Sequence, residues 1–155
     1  IYHQNITIRN NEFKNIHDNG VFVLNWKNTK IENNKFTNIG NSSKKSYSSG
    51  AHAISGGGIE EINITGNTFT KIKRNPVYFC IQQNVGGGSN YKKVGMKITK
   101  EETKAMLDNK VFDCGYDMNS IFHGYDILYF KGSGERSRSN AVGVNINKQI
   151  ISYGL

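Results

Sequence analysis

The chain has 155 residues, of which 20 are Lys or Arg and 12 are Asp or Glu, so its formal net charge is +8. Two cysteines exclude a disulfide-rich scaffold and a four-cysteine zinc site. No apolar run approaches the roughly 18 residues of a membrane span, and no charged-then-apolar leader is present. Because the chain begins with Ile1 inside a strand-like pattern, we expect a piece from the C-terminal part of a longer protein.

A repeat carries most of the information in this sequence. Three segments share a spacing of Ile, a pair of mostly Asn residues, Phe and Ile: NITIRNNEFKNI at 5–16, NTKIENNKFTNI at 28–39 and EINITGNTFTKI at 61–72. The step from Phe13 to Phe36 is 23 residues, and the longer step to Phe69 accommodates an insertion at 41–50. A weaker fourth copy at 106–114 has Val111 in the place of Phe.

This spacing predicts an all-β fold in which equivalent residues of successive repeats stack on one another. A period near 23 residues is too short for a propeller blade or a helical repeat, and the leucine-rich pattern is missing. We therefore predict a right-handed parallel β-helix solenoid of about five coils of ~23 residues, with loop insertions and one short helix. The predicted inward columns are Ile8, Ile31, Ile64; Phe13, Phe36, Phe69, Val111; Ile16, Ile39, Ile72, Cys114; and Val21, Ile54, Val77.

The 21 Asn residues fit the same geometry. In each repeat, one Asn of the pair that precedes Phe falls at the same position of the turn. Stacked amides at this position can hydrogen-bond one another and the turn backbone. Asn also tolerates the left-handed conformation that such bends need. The predicted turn ladder consists of Asn11, Asn34, Asn67 and Asn109.

The remaining chain is predicted to be one domain over 1–155, with insertions at 41–50 and 83–105 and a C-terminal cap at 122–155. Thr99 and Glu102 form a capping-box pattern that opens a short helix to about Met106. The stretch 125–130 predicts a strand, and 141–151 alternates apolar and polar residues as a last coil or cap.

The repeats resemble the pectin-lyase-like parallel β-helix superfamily over roughly residues 3–121, and most closely the polygalacturonase-like hydrolases of family 28 and phage tailspike β-helices. The family 28 coils carry G-D-D-C-I, then G-H-G-I-S, then R-I-K. In this chain, HDNGV at 17–21 corresponds to the first motif and AHAIS at 51–55 corresponds to the second. NPVY at 75–78 corresponds to the coil that precedes the third motif.

The chain departs from the family pattern in ways that bear on its chemistry. Asn19 replaces the second Asp, and Tyr78 and Cys80 replace the Arg and Lys of R-I-K. The resemblance therefore implies the fold more directly than a family 28 reaction, and tailspikes share the fold with varied catalytic residues.

The register places Asn19, His52 and Asn75 above one another, and Asn119 would join them if Ile121 were the next inward residue. The charged and aromatic side chains beside this column are predicted to share one outer face of the solenoid, which we call the wall, and they suit sugar binding. We predict Asp18 and His52 as catalytic residues and the following as substrate-binding residues: His17, Asn19, Arg74, Asn75 and Tyr78. The same residues also fit an ordinary polar outer wall, with His52 as a hydrogen-bonded surface histidine.

These residues predict a secreted, cell-surface or virion protein that binds, and in one interpretation cleaves, an acidic polysaccharide. Hydrolysis of a glycoside usually needs two carboxyl groups, and only Asp18 is found at this wall. Lyase chemistry needs a base and a group that neutralises a uronate, which His52 and Arg74 could supply. The alternative is a non-catalytic structural or receptor-binding module, as a homotrimer or packed on upstream coils. We expect no metal, cofactor, nucleic acid or membrane partner.

Overall fold

A computed structural model describes residues 3–40, 51–79, 97–115, 125–130, 141–145 and 150–152. The described chain is mostly β-strand with one short helix, and its two sheets are built largely from parallel strands. The all-β prediction and the prediction of one short helix are therefore confirmed. The insertion predicted at 41–50 and most of the one predicted at 83–105 lie outside the described residues.

The chain passes alternately between the two sheets as far as the ninth strand. The seven-stranded sheet contains β1 (His3–Arg9), β3 (Val21–Glu32), β5 (Ile54–Thr65), β7 (Val77–Phe79), β9 (Tyr125–Phe130), β10 (Ala141–Asn145) and β11 (Ile150–Ser152), in that spatial order. The four-stranded sheet contains β2 (Glu12–Ile16), β4 (Lys35–Ile39), β6 (Thr68–Ile72) and β8 (Lys110–Phe112), in that order.

The pairing register confirms the predicted columns except at Cys114. Ile8, Ile31 and Ile64 are paired across β1, β3 and β5, and the phenylalanine column is paired across the four-stranded sheet as far as Val111. Ile16, Ile39 and Ile72 are also paired, whereas Cys114 lies beyond the last residue of the fourth strand of that sheet. One row differs from expectation, because Val77 pairs with Ile127 and not with Ile121. The expected partner row with Asn119 lies outside the described residues.

The phenylalanine column shows how this register stabilises the fold. The Phe13 and Phe36 rings stack with centroids 4.7 Å apart, and the Phe36 and Phe69 rings stack at 5.1 Å. Phe36 and Phe69 are fully buried, which contributes roughly 1.5–3 kcal/mol each. Stacked identical side chains thus fill the space between the sheets in one continuous core.

The asparagine ladder is also confirmed. The Asn34 Oδ1 accepts the backbone N–H of Asn11 at 3.0 Å, the Asn67 Oδ1 accepts that of Asn34 at 2.9 Å, and the Asn109 Oδ1 accepts that of Asn67 at 3.0 Å. Each of the three buried amides also donates its Nδ2 to a backbone carbonyl. The ladder therefore satisfies turn N–H groups that the strands leave unpaired.

The C-terminal part of the described chain changes the direction of pairing. Helix α1 (Lys100–Ala105) begins after Thr99, whose side chain accepts the Glu102 N–H at 3.1 Å, as the capping pattern predicts. Strand β9 pairs parallel with β7, but β10 and β11 continue the sheet in antiparallel fashion. No helix among these described segments is long and apolar enough to cross a membrane.

Candidate functional site

The predicted site lies at the bend that precedes the strand segment Val21–Leu24 and its partners in β5 and β7. Two residues before Val21, Ile54 and Val77, the first paired residues of these strands, Asn19, His52 and Asn75 stack in register, as the sequence predicts. The Asn19 Oδ1 accepts the His52 backbone N–H at 3.1 Å, and the His52 Nδ1 accepts the Asn75 backbone N–H at 3.1 Å. This column is therefore a second ladder in which side chains satisfy the backbone of the next repeat.

His52 is a member of this ladder and is only 2% exposed. Because its Nδ1 accepts a hydrogen bond, the geometry assigns the ring proton to Nε2. Burial and, to a lesser extent, the nearby charge of Arg74 lower the pKa of His52 from 6.5 to about 3. His52 is consequently neutral at physiological pH, and its Nδ1 lone pair is engaged.

Tyr78 covers His52. The two rings are stacked, with centroids 4.4 Å apart and planes 9° from parallel. Tyr78 pairs with Ser55, and Ser55 pairs with Phe22, so the three side chains share the outer face of the sheet. Ser55 is buried, whereas Tyr78 is half-buried and Phe22 is 43% exposed. The outer face therefore presents two aromatic rings, one on each side of a small, buried serine.

The charged members of the predicted site lie beside the ladder. The exposed Asp18 accepts the Ala51 N–H through its Oδ1 at 3.2 Å, and the backbone N–H of Arg74 donates to the Ala51 carbonyl at 3.0 Å. Ala51 itself has a φ of 76°, a conformation that non-glycine residues rarely adopt. Asp18 and the backbone of Arg74 thus hold this bend from opposite sides. His17 is exposed and next to Asp18 in the chain.

The arrangement favours binding over carboxylate-pair chemistry. Within the described segments 17–24, 51–57 and 74–79, Asp18 is the one acidic residue. The more distant Glu60 faces Lys27 and Lys97 at 3.8 and 3.7 Å. Among the described residues, no group of three or more His, Cys, Asp or Glu side chains could hold a metal ion. The wall therefore combines one carboxylate, one guanidinium and two aromatic rings.

The sequence did not reveal that His52 takes the structural place of an asparagine. A usable signal was present, because His52 stands between two asparagines in its column and an imidazole Nδ1 can accept in the same way as an amide oxygen. The stacking of Tyr78 on His52 could not be anticipated, since the two residues occupy different rows of the register.

Comparisons with protein-family models, with curated proteins and with solved structures found no match to this chain. The geometry of the wall therefore carries the functional argument.

Proposed function

We propose that the chain is a right-handed parallel β-helix of about five coils that binds an acidic polysaccharide on the wall bearing Asp18, Arg74 and Tyr78. The alternation of the chain between two parallel sheets, and the unbroken columns in the core, support the solenoid. In this proposal the protein works at a cell surface, on a virion or after secretion, where such polymers occur.

The observation that carries the binding proposal is the rigid aromatic platform made by Tyr78 on His52. Aromatic rings bury large areas at low entropic cost when their orientation is already fixed. The platform lies in register with Ser55, and the charge of the half-buried Arg74 acts on His52 beneath Tyr78. The guanidinium of Arg74 suits a uronate carboxylate. Phe22 lies two strands away on the same face, about 10 Å across the sheet. Together these groups fit an extended chain of acidic sugars.

Within this proposal the catalytic candidates have different roles. Asp18 is exposed and is the candidate general acid or base. His52 is buried, neutral and hydrogen-bonded through Nδ1. In this proposal it therefore positions Asn75 and Tyr78 and does not act as a general base. A lyase reaction with His52 as base would require the imidazole to leave the ladder.

Binding is tested with Tyr78→Ala and Arg74→Gln, measured by calorimetry against polygalacturonate, with dextran as a neutral polymer. We expect each substitution to weaken binding of polygalacturonate by roughly fivefold to tenfold, because each removes an aromatic or charge-assisted contact of about 1 kcal/mol. Lys30→Gln is the matched control, since Lys30 is an exposed cation at the far end of β3 from Phe22. Equal losses in Arg74→Gln and Lys30→Gln would refute the proposed wall.

Catalysis is tested with Asp18→Asn and His52→Ala, alone and combined, by following polymer cleavage. If the combined variant cleaves as fast as the parent chain, the assignment of the reacting groups to this wall is wrong. Asn replaces only the carboxylate of Asp18, so loss of cleavage in Asp18→Asn with binding retained assigns the reaction to that carboxylate.

The second candidate is a non-catalytic shaft or receptor-binding module. It is favoured by the single carboxylate at the wall and by the neutral, engaged His52. Binding without turnover, together with a trimeric mass by sedimentation, would establish it. A monomeric mass with turnover of a uronate polymer would exclude it.

A further inference from the structure

The outer face of the four-stranded sheet is a separate surface, which we call the lysine face. Phe36, Phe69 and their neighbours point from this sheet into the core, so the alternate residues point outward. The lysine face is formed by Glu12, Lys14, Lys35, Thr37, Thr68, Thr70, Lys110 and Phe112. It includes none of the residues of the wall described above.

Three exposed cations dominate the lysine face: Lys14, Lys35 and Lys110. None of the three forms an ion pair with a residue that the structure describes. By contrast, Lys27 on the other sheet lies 3.8 Å from the carboxylate of Glu60. The lysine face contains one acidic residue, Glu12, on its outermost strand. Its cations are therefore available to an external anion.

The strands fix the spacing of these cations. Lys35 and Lys110 occupy the same column with Thr68 between them, so two strand spacings of about 10 Å separate their backbones. Lys14 is one strand beyond Lys35 and two residues along, a displacement of roughly 7 Å in the strand direction. Lys35 and Lys110 thus lie along one column and Lys14 lies diagonally beyond Lys35, a path across the sheet that an extended polymer can follow.

An exposed aromatic ring lies in the neighbouring column, on the same strand as Lys110. Phe112 is 53% exposed and follows Lys14, Thr37 and Thr70 in its column. Between the charged and aromatic ends, Thr70 presents a partly exposed hydroxyl-bearing side chain, while the hydroxyl oxygen of Thr37 is buried. A flat face that combines ammonium groups, hydroxyl groups and one ring matches the carboxylates or sulfates, the hydroxyls and the apolar faces of a sugar chain.

We propose that the lysine face is a second polyanion-binding surface, which takes an extended carboxylated or sulfated polysaccharide across β2, β4, β6 and β8. The proposal extends beyond the wall at Tyr78, because it concerns a different sheet and stands if that wall binds nothing. A linear acidic polysaccharide repeats its negative charges along the chain, and binding releases its counterions in proportion to the cations engaged.

The composition of the face favours a polysaccharide over a nucleic acid. All three cations are Lys, and no Arg supplies the bidentate fork that suits phosphate recognition. Phe112 is its single aromatic residue, whereas surfaces for single-stranded nucleic acid stack successive bases on several rings.

The test compares two triple variants in a Tyr78→Ala, Arg74→Gln background, which removes the wall site. One carries Lys14→Gln, Lys35→Gln and Lys110→Gln. The matched control carries three substitutions of exposed lysines outside the face: Lys30→Gln, Lys100→Gln and Lys104→Gln. Both lose the same charge, and substitutions of exposed lysines leave the core intact, which thermal unfolding verifies.

Binding of heparin and of polygalacturonate is measured by calorimetry over a range of salt concentrations. We expect the lysine-face variant to lose at least tenfold in affinity for one of these polymers, and its salt slope to fall by roughly one unit per lysine. The control variant should lose less than threefold. A loss for polygalacturonate shows that the face recognises carboxylates, whereas a loss for heparin alone points to its sulfate groups.

Three outcomes would overturn the proposal. The background protein could fail to bind either polymer, or the two triple variants could lose affinity equally. A single-stranded oligonucleotide could also bind the background protein more tightly than either polysaccharide and lose affinity on the lysine-face substitutions, which would assign the surface to nucleic acid. Because the wall site is already removed, failure of the wall proposal would not produce these results.

Discussion

His52 shows how one position can accept either of two residue types. In its ladder, Asn19 offers an amide oxygen and His52 offers an imidazole nitrogen to the backbone of the next repeat. The imidazole adds a flat ring on which Tyr78 stacks. The imidazole ring can also be protonated, which an amide cannot, so the role of His52 can be tested by changing the pH.

Protonation of His52 should destabilise the folded chain. Its pKa is lowered from 6.5 to about 3 in the folded state, so the unfolded chain binds the proton first as the pH falls. The stabilising contribution is fully present above about pH 6.5 and is lost as the pH falls towards 3, at up to about 1.4 kcal/mol per pH unit. Urea unfolding at pH 7 and pH 5 measures it.

The control for this prediction is His52→Asn, which keeps an acceptor for the Asn75 N–H but has no titrating ring. We expect the parent chain to lose about 2 kcal/mol more than His52→Asn between pH 7 and pH 5. Identical pH profiles in the two proteins would show that His52 is not held neutral by the fold.

Burial should set the cost of breaking the asparagine ladder. Asn67 is fully buried and bonds Asn34, Ile31 and Asn109, so Asn67→Ala leaves backbone groups unsatisfied and should cost about 2–4 kcal/mol in unfolding free energy. Asn11 has the same register position but is exposed, and Asn11→Ala should cost less than about 1 kcal/mol. If Asn67→Ala and Asn11→Ala both reduced the free energy of urea unfolding only slightly, water would have to replace the ladder hydrogen bonds at both positions.

At the scale of the strands, the bends between segments explain much of the asparagine content. Of the eleven described non-glycine residues with positive φ, seven are Asn. Asn15 and Asn38 occupy one such bend position in β2 and β4 and are joined by a side-chain hydrogen bond of 2.9 Å. In β6 the corresponding residue is Lys71, with a φ of 55°. Lysine has no short polar group to stabilise this conformation.

Lys71→Asn should therefore stabilise the chain by about 0.5–1 kcal/mol, because Asn adopts the left-handed conformation at lower cost. The rise in the midpoint of urea unfolding measures the gain. Lys14→Asn is the control, since Lys14 is exposed in an extended strand, and it should be neutral or slightly destabilising. A gain in both variants would point to the loss of positive charge as the cause.

At the scale of the whole molecule, the sequence predicted the features that recur in every repeat. The columns of Ile, Phe and Asn were predictable because a register of parallel strands places like residues on one another, and the fully buried Phe36 and Phe69 confirm it. The partner of Val77 was not predictable, because no further copy of the repeat follows the weak one at 106–114 to set the register of β9. Side-chain roles at the wall depended on burial, which the pattern does not encode.

The unequal lengths of the two sheets limit how copies of this chain could join end to end. The first strands of both sheets, β1 and β2, are edge strands, while at the other end the larger sheet continues through the antiparallel β10 and β11 beyond β8, the last described strand of the smaller sheet. Among the described strands, only the larger sheet extends to that end, so a second copy that continued both sheets would need a further strand beyond β8. Open-ended fibre growth through the described strands, a hazard of exposed sheet edges, is thereby disfavoured.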